Sequence, residues 1–95
     1  EVSIDYIQKV ISKYFEMDVT TLQSKTRKRH IVQARQLAMF FAKKFTKASL
    51  ASIGSQIGQR DHATVLHACK TVDNLSSTDK QFRKYVDDLN KKLTL

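Results

Sequence analysis

Asp61-His62-Ala63-Thr64 places a carboxylate, an imidazole, a methyl and a hydroxyl on four consecutive residues. Asp61 beside His62 has the composition of half an acid–base pair. Adjacent residues on a helix point about 100° apart, and neither a nucleophile nor a glycine-rich phosphate loop accompanies them, so catalysis is not their expected use. A metal site is not expected either. His62 and His67 are five residues apart, which misses the i, i+4 spacing of a helical zinc pair, and the single cysteine, Cys69, falls on an apolar stripe. The four side chains suit a nucleic-acid base edge better. An Asp accepts from the amino group of cytosine, His and Thr exchange hydrogen bonds with bases or phosphate, and the Ala methyl can touch that of thymine.

The distribution of charge points to the same kind of partner. The net charge is +8, yet no acidic residue occurs between Asp18 and Asp61, where Lys25, Arg27, Lys28, Arg29, Arg35, Lys43, Lys44, Lys47 and Arg60 stand. Outside this window acids and bases nearly balance. Positive charge concentrated in this way implies a polyanion: nucleic acid first, an anionic membrane surface or an acidic protein second. A merely solvating basic face would not need every acid excluded from the middle of the chain.

Helices must position these groups. The 95 residues include no Pro and two Gly, which leaves few turn formers and uninterrupted helical periodicity. A chain of this length buries roughly two-thirds of its unfolded surface around one core, so residues 1–95 read as a single domain. Ile4, Ile7, Val10 or Ile11, and Tyr14 with Phe15 predict a helix over about 3–15. Thr20 and Gln23 fit a capping box opening one short turn that ends near Ser24. The polar run from Lys25 to His30 reads as a loop presenting cations. Ile31, Ala34, Leu37, Ala38, Phe41 and Phe45 predict a long third helix with Arg35, Gln36, Lys43 and Lys44 turned outward.

Ser49 is a good N-cap for a short helix through Gln56, after which Gly58 supplies a permissive turn. Asp61 then caps a helix whose buried stripe is Val65, Ala68 or Cys69, Val72 and Leu75. Ser76 with Asp79 fits another capping signature, ahead of a last helix carrying Phe82, Tyr85 with Val86, Leu89 and Leu93. The expected fold is therefore all-α, a compact bundle of about six helices with a helix-turn-helix of the Trp-repressor-like kind. In such a motif the second helix enters the major groove by its N-terminal residues.

The run Ile53-Gly-Ser-Gln-Ile-Gly-Gln-Arg-Asp-His-Ala-Thr-Val-Leu-His-Ala-Cys-Lys-Thr-Val72 resembles the recognition-helix signature of the bacterial replication initiator DnaA family. The resemblance extends upstream through Ile4-Asp-Tyr-Ile-Gln-Lys-Val, Leu22-Gln-Ser-Lys with the basic loop, and Ala34-Arg-Gln-Leu-Ala-Met39. It is with the C-terminal, DNA-binding domain of that family. It implies sequence-specific binding of double-stranded DNA at short A·T-rich boxes of a replication origin, for initiation of chromosomal replication. By the same resemblance Asp61, His62, Ala63 and Thr64 read the major groove, and Arg27 enters the adjacent minor groove. Arg29, Arg35, Gln36, Lys43, His67 and the amides of Leu50 and Ala51 meet the DNA backbone. An Arg suits the minor groove because a narrow A·T-rich groove concentrates negative potential.

Two positions depart from the family pattern. Ala63 stands where a hydroxyl residue is usual, and Gln33 where another basic residue is frequent. The family carries an ATPase module elsewhere in its chain, but no Walker-type sequence occurs here. Neither enzymatic activity nor a cofactor is expected of these residues. The expected setting is the bacterial cytoplasm, at the nucleoid, as a fragment of a longer initiator chain. With no apolar stripe left over after the core is assigned, a monomer is expected, which speaks against an ordinary dimeric repressor. An anionic lipid surface or a regulatory protein partner is the alternative use of the basic segment.

Overall fold

A computed structural model describes residues 2–94 as six helices: α1 (Ile4–Tyr14), α2 (Val19–Gln23), α3 (Arg29–Phe45), α4 (Leu50–Gln56), α5 (His62–Thr78) and α6 (Lys80–Thr94). The α1 stripe works as its spacing predicts, burying Ile4, Ile7 and Ile11, while the Ser3 hydroxyl accepts from the Tyr6 amide to cap the helix. Asp5 in the first turn and Lys13 in the last complement the helix dipole.

α3 is the scaffold. Ile31, Ala34, Leu37, Ala38, Met39, Phe41 and Ala42 are all buried, and the helix packs against α1, α2, α4 and α5. The small residues Ala34, Ala38 and Ala42 let neighbouring helices approach, and Phe41 fills the space between them at 0% exposure. Val65, Ala68, Cys69 and Val72 join the core from α5, and Phe82, Leu89 and Leu93 from α6. Both members of the Ala68 or Cys69 alternative are buried. All six helices thus contribute to one apolar cluster within 30 × 30 × 24 Å.

Several boundaries differ from the sequence reading, each for a local reason. α2 begins one residue before Thr20, after Asp18, without a side-chain cap; Gln23, expected to close a capping box, instead donates to Gln8 Oε1 at 2.6 Å and to the Gln56 carbonyl at 3.3 Å. The Gln23 amide is spent on tertiary acceptors and not on the backbone N–H that a capping box offers. α3 begins at Arg29, so Arg29 and His30 belong to the helix and not to the cationic loop; the Lys28 carbonyl accepts from Ile31 and Val32 and draws them in. α5 runs on to Thr78 because Ser76 bonds back to the Val72 carbonyl (2.7 Å). Asp79 alone separates it from α6 and caps the Phe82 amide at 3.1 Å.

α6 is fastened to α1 by an aromatic group, Tyr14, Phe15, Phe82 and Tyr85, in edge-to-face pairs. Within it the Tyr14 hydroxyl donates to Asp88 at 2.7 Å. Burial, and then this hydrogen bond, push the Tyr14 phenol up to about 12; the same bond holds the Asp88 carboxyl below the usual carboxylate range. Tyr14, raised when folded, stabilises fully below pH 10 and loses that contribution as pH climbs to about 12. Asp88, lowered when folded, contributes above the ordinary carboxylate range and loses its contribution as pH falls through its depressed value. Urea midpoints measured against pH should therefore be flatter at both extremes in Tyr14→Phe than in the wild type. Superimposable profiles would show that the bond is not made in solution.

Candidate nucleic-acid interface

The N-terminus of α5 is fully presented. Asp61, His62, Ala63 and Thr64 are all exposed, and Val65 is the first buried residue of the helix. Asp61 Oδ1 accepts both the Thr64 amide at 2.9 Å and the Thr64 hydroxyl at 2.8 Å. The amide bond first, and the hydroxyl second, hold the Asp61 carboxyl below its ordinary range. It stays ionised, with Oδ2 free of protein partners of this kind. Thr64 is correspondingly committed: its hydroxyl proton is on Asp61, so its free lone pairs accept and do not donate.

α4 reaches this helix through a turn made possible by both glycines of the chain. Gly58 has φ 79° and Gln59 φ 56°, and the Arg60 amide donates to the Gly54 carbonyl at 2.8 Å. A Cβ on Gly54 would overlap the Arg60 carbonyl, and a Cβ on Gly58 would overlap the Arg60 guanidinium. At the other end of α4, the Ser49 hydroxyl accepts from Ser52 at 3.1 Å, while Leu50 and Ala51 occupy the first turn, where amides lack intrahelical partners.

The basic loop is held by arginines. Arg35, expected to point outward, is only 8% exposed; this corrects the sequence reading. Its Nε donates to the Leu22 carbonyl at 2.9 Å, and Nη2 to those of Ser24 at 2.6 Å and Thr26 at 3.3 Å. Arg60, which the sequence marked only as one more cation, donates from Nη1 to the carbonyls of Gln23, Ile57 and Gly58, and from Nη2 to Ser24 at 2.7 Å. Burial lowers the pKa of both guanidiniums, with the Arg60 charge adding to the effect on Arg35.

Arg35, Gln36, Arg60, Thr64 and His67 line one shallow recess of about 100 Å³ between α3 and α5. Four of the site residues expected from sequence are thereby brought together. Arg27, Arg29, Lys43, Ala51 and His67 are exposed, and Gln36 and Leu50 are half-buried; of these only Gln36 and His67 line the recess. Leu66, at 41% exposure on α5, was not anticipated. A larger recess, lined by Tyr6, Val10, Lys13, Tyr14 and Lys92, lies between α1 and α6 and contains none of these residues.

The family model described as the bacterial dnaA protein helix-turn-helix matches residues 4–72. The chain belongs to the DnaA helix-turn-helix family. It is 81% identical over all 95 residues to the chromosomal replication initiator protein DnaA of Flavobacterium psychrophilum. Against the DnaA proteins of Bacteroides thetaiotaomicron and Wolbachia pipientis wMel it is 49% identical over 88 residues and 47% over 90, covering 93% and 95% of the chain. It spans about a fifth of the length of these DnaA relatives, 20%, 19% and 20% respectively. The matched residues run from α1 into α5 and include α4 and the Gly58 turn.

Removing the Arg35 guanidinium takes the side-chain donor from the Leu22 and Thr26 carbonyls, while Ser24 keeps its bond from Arg60; a single buried unsatisfied group costs about 1–3 kcal/mol. Arg35→Ala should lose at least that much in urea denaturation. Arg35→Lys should recover little, because a point-like ammonium does not span the Leu22 and Thr26 carbonyls. An Arg35→Ala protein as stable as wild type would contradict the buried arrangement.

Proposed function

We propose that this chain is the sequence-specific, double-stranded DNA-binding part of a bacterial replication initiator, acting at A·T-rich boxes of the origin. The observation that carries this reading is the exposed Asp61–Thr64 terminus of α5 beside an arginine-lined recess with no carboxylate in the 42 residues before Asp61. Membership of the DnaA family and the initiator names of its relatives support it.

In this reading α5 enters the major groove. Asp61 Oδ2 accepts from a cytosine amino group, His62 bonds a base edge or phosphate, and Ala63 offers its methyl to thymine. Arg27 enters the adjacent minor groove. Arg29, Gln36, Lys43, His67 and the amides of Leu50 and Ala51 meet phosphates, which fix register without reading sequence. Arg35 contributes its positive charge from within the recess, since its donors already serve the loop. The chain acts as a non-catalytic monomeric module, residues 1–95 forming one domain of a longer cytoplasmic protein.

Fluorescence anisotropy against a duplex bearing the box and a scrambled duplex, each at two salt concentrations, tests the reading. A preference of about a thousandfold or more is expected, within the usual range for specific readers. Equal, steeply salt-dependent binding to both would reduce the chain to a non-specific basic module. Arg27→Ala and His62→Ala should each weaken box binding by about 1–3 kcal/mol, the value of a good base contact. Wild-type affinity in both variants would remove them from the site. Ala63→Thr restores the hydroxyl usual at that position. It should sharpen discrimination at one base pair and leave the others unchanged, as read by competition with single-substitution duplexes.

A further inference from the structure

We propose that Arg60 is a specificity-positioning residue: with Arg35 it locks the 24–28 loop to the helix-turn-helix turn, so that Arg27 and α5 address neighbouring grooves in one fixed register. The inference rests on the DNA-binding reading above and adds a role for a side chain that reads no base itself.

The geometry around Arg60 is built for this purpose. Gly58 lies beneath its guanidinium, where an added Cβ would overlap Nη1 and the Gln23 carbonyl; Gly54 makes room for the backbone carbonyl of residue 60. Its side chain bonds two carbonyls of its own turn, Ile57 at 2.9 Å and Gly58 at 3.3 Å, and two from a segment 36 and 37 residues away, Ser24 at 2.7 Å and Gln23 at 3.2 Å. The Ser24 carbonyl also accepts from Arg35 at 2.6 Å. Two guanidiniums therefore converge on one oxygen.

For stability alone this is a poor arrangement, because like charges repel and a carboxylate would serve either arginine better. Both ion pairs among the described residues, Lys9–Asp5 and Lys84–Asp88, lie outside the acid-free window. Carbonyl anchoring has a different advantage: it restrains the loop without placing a negative charge near a polyanion. Arg35 holds the Leu22, Ser24 and Thr26 carbonyls and Arg60 those of Gln23 and Ser24, so Arg27 is one residue beyond an anchored group. One residue of extended chain spans only about 3.3–3.6 Å, which leaves the Arg27 backbone little room to wander. Ordering the loop before binding also lowers the entropy lost on the DNA.

The test uses the 95-residue chain and the tightest duplex it selects from a randomised library. In that duplex, diaminopurine replaces adenine singly along the site. Diaminopurine leaves the major-groove edge of an A·T pair unchanged and adds a minor-groove amino group, so it reports on Arg27 alone. Inosine replacing guanine removes that amino group, and ordinary base-pair exchanges report on α5. Wild type should disfavour the sensitive diaminopurine position by roughly tenfold, as for loss of one good contact. Arg60→Lys and Arg60→Gln should bring that ratio to near one, as Arg27→Ala does, while keeping the major-groove ratios. Combining Arg60→Gln with Arg27→Ala should cost little beyond Arg27→Ala.

A merely structural role would lower affinity on every duplex in proportion, and a phosphate contact would do the same with a shallower salt dependence; either result overturns the proposal. So does unchanged discrimination. In the free protein, backbone order parameters of residues 24–28 should drop below about 0.6 in Arg60→Gln with the helices unaffected. A loop that stays ordered refutes the lock whatever the DNA result. Selection that yields no consensus sequence would instead overturn the DNA-binding reading, and the positioning role with it.

Discussion

A guanidinium buried away from any carboxylate must take neutral oxygens as acceptors, and backbone carbonyls without a helical partner are found where helices end. That constraint organises this protein. Arg35 and Arg60 lie in a stretch from which acids are absent; Arg35 takes its acceptors at and just after the end of α2, and Arg60 takes them there and in the turn after α4. Irregular segments that would otherwise be loose become the best-bonded part of the surface. The positive charge remains unneutralised and directed toward the face where a polyanion would sit.

The rest of the fold makes that arrangement possible. α3 is buried along most of its length and meets α1, α2, α4 and α5, so Arg35 starts from a rigid base. The Gln8, Gln23 and Gln56 contacts tie α1, α2 and α4 together just behind the loop. Asp5, Asp73, Asp87 and Asp88 lie on α1, the far half of α5 and α6, and Asp79 stands between α5 and α6; Asp88 accepts from Tyr14 and Asp79 caps the Phe82 amide. Asp61 is the exception on the basic face. Its charge sits at a helix N-terminus, which favours it, and its Oδ1 accepts from both the amide and the hydroxyl of Thr64.

The chain belongs to the DnaA helix-turn-helix family, and its α5 terminus and its α4–α5 turn meet different physical demands. Ala63 lies on the exposed side of α5, where a change of side chain disturbs no buried contact. The glycines, by contrast, are bound to the Arg60 geometry and admit no Cβ without a shift of backbone or guanidinium.

The number and order of the helices, the core stripes of α1, α3 and α5, the Ser49 and Asp61 caps and the Gly58 turn were all legible in the amino-acid order. These features are local: periodicity, capping and positive φ act within a few residues. Family resemblance in residues 53–72 likewise needs only the order of residues. The fate of Gln23 and Arg35 was not legible. Gln23 leaves its capping position for Gln8 and Gln56, and Arg35 folds inward onto Leu22, Ser24 and Thr26, because each finds acceptors that chain folding alone brings near. The same is true of Arg60, whose partners at 23 and 24 are remote in sequence. Sequence determined which groups this protein has to offer a polyanion; tertiary structure decided which are offered and which are spent holding the others in place, since a long cationic side chain goes wherever unpaired carbonyls await it.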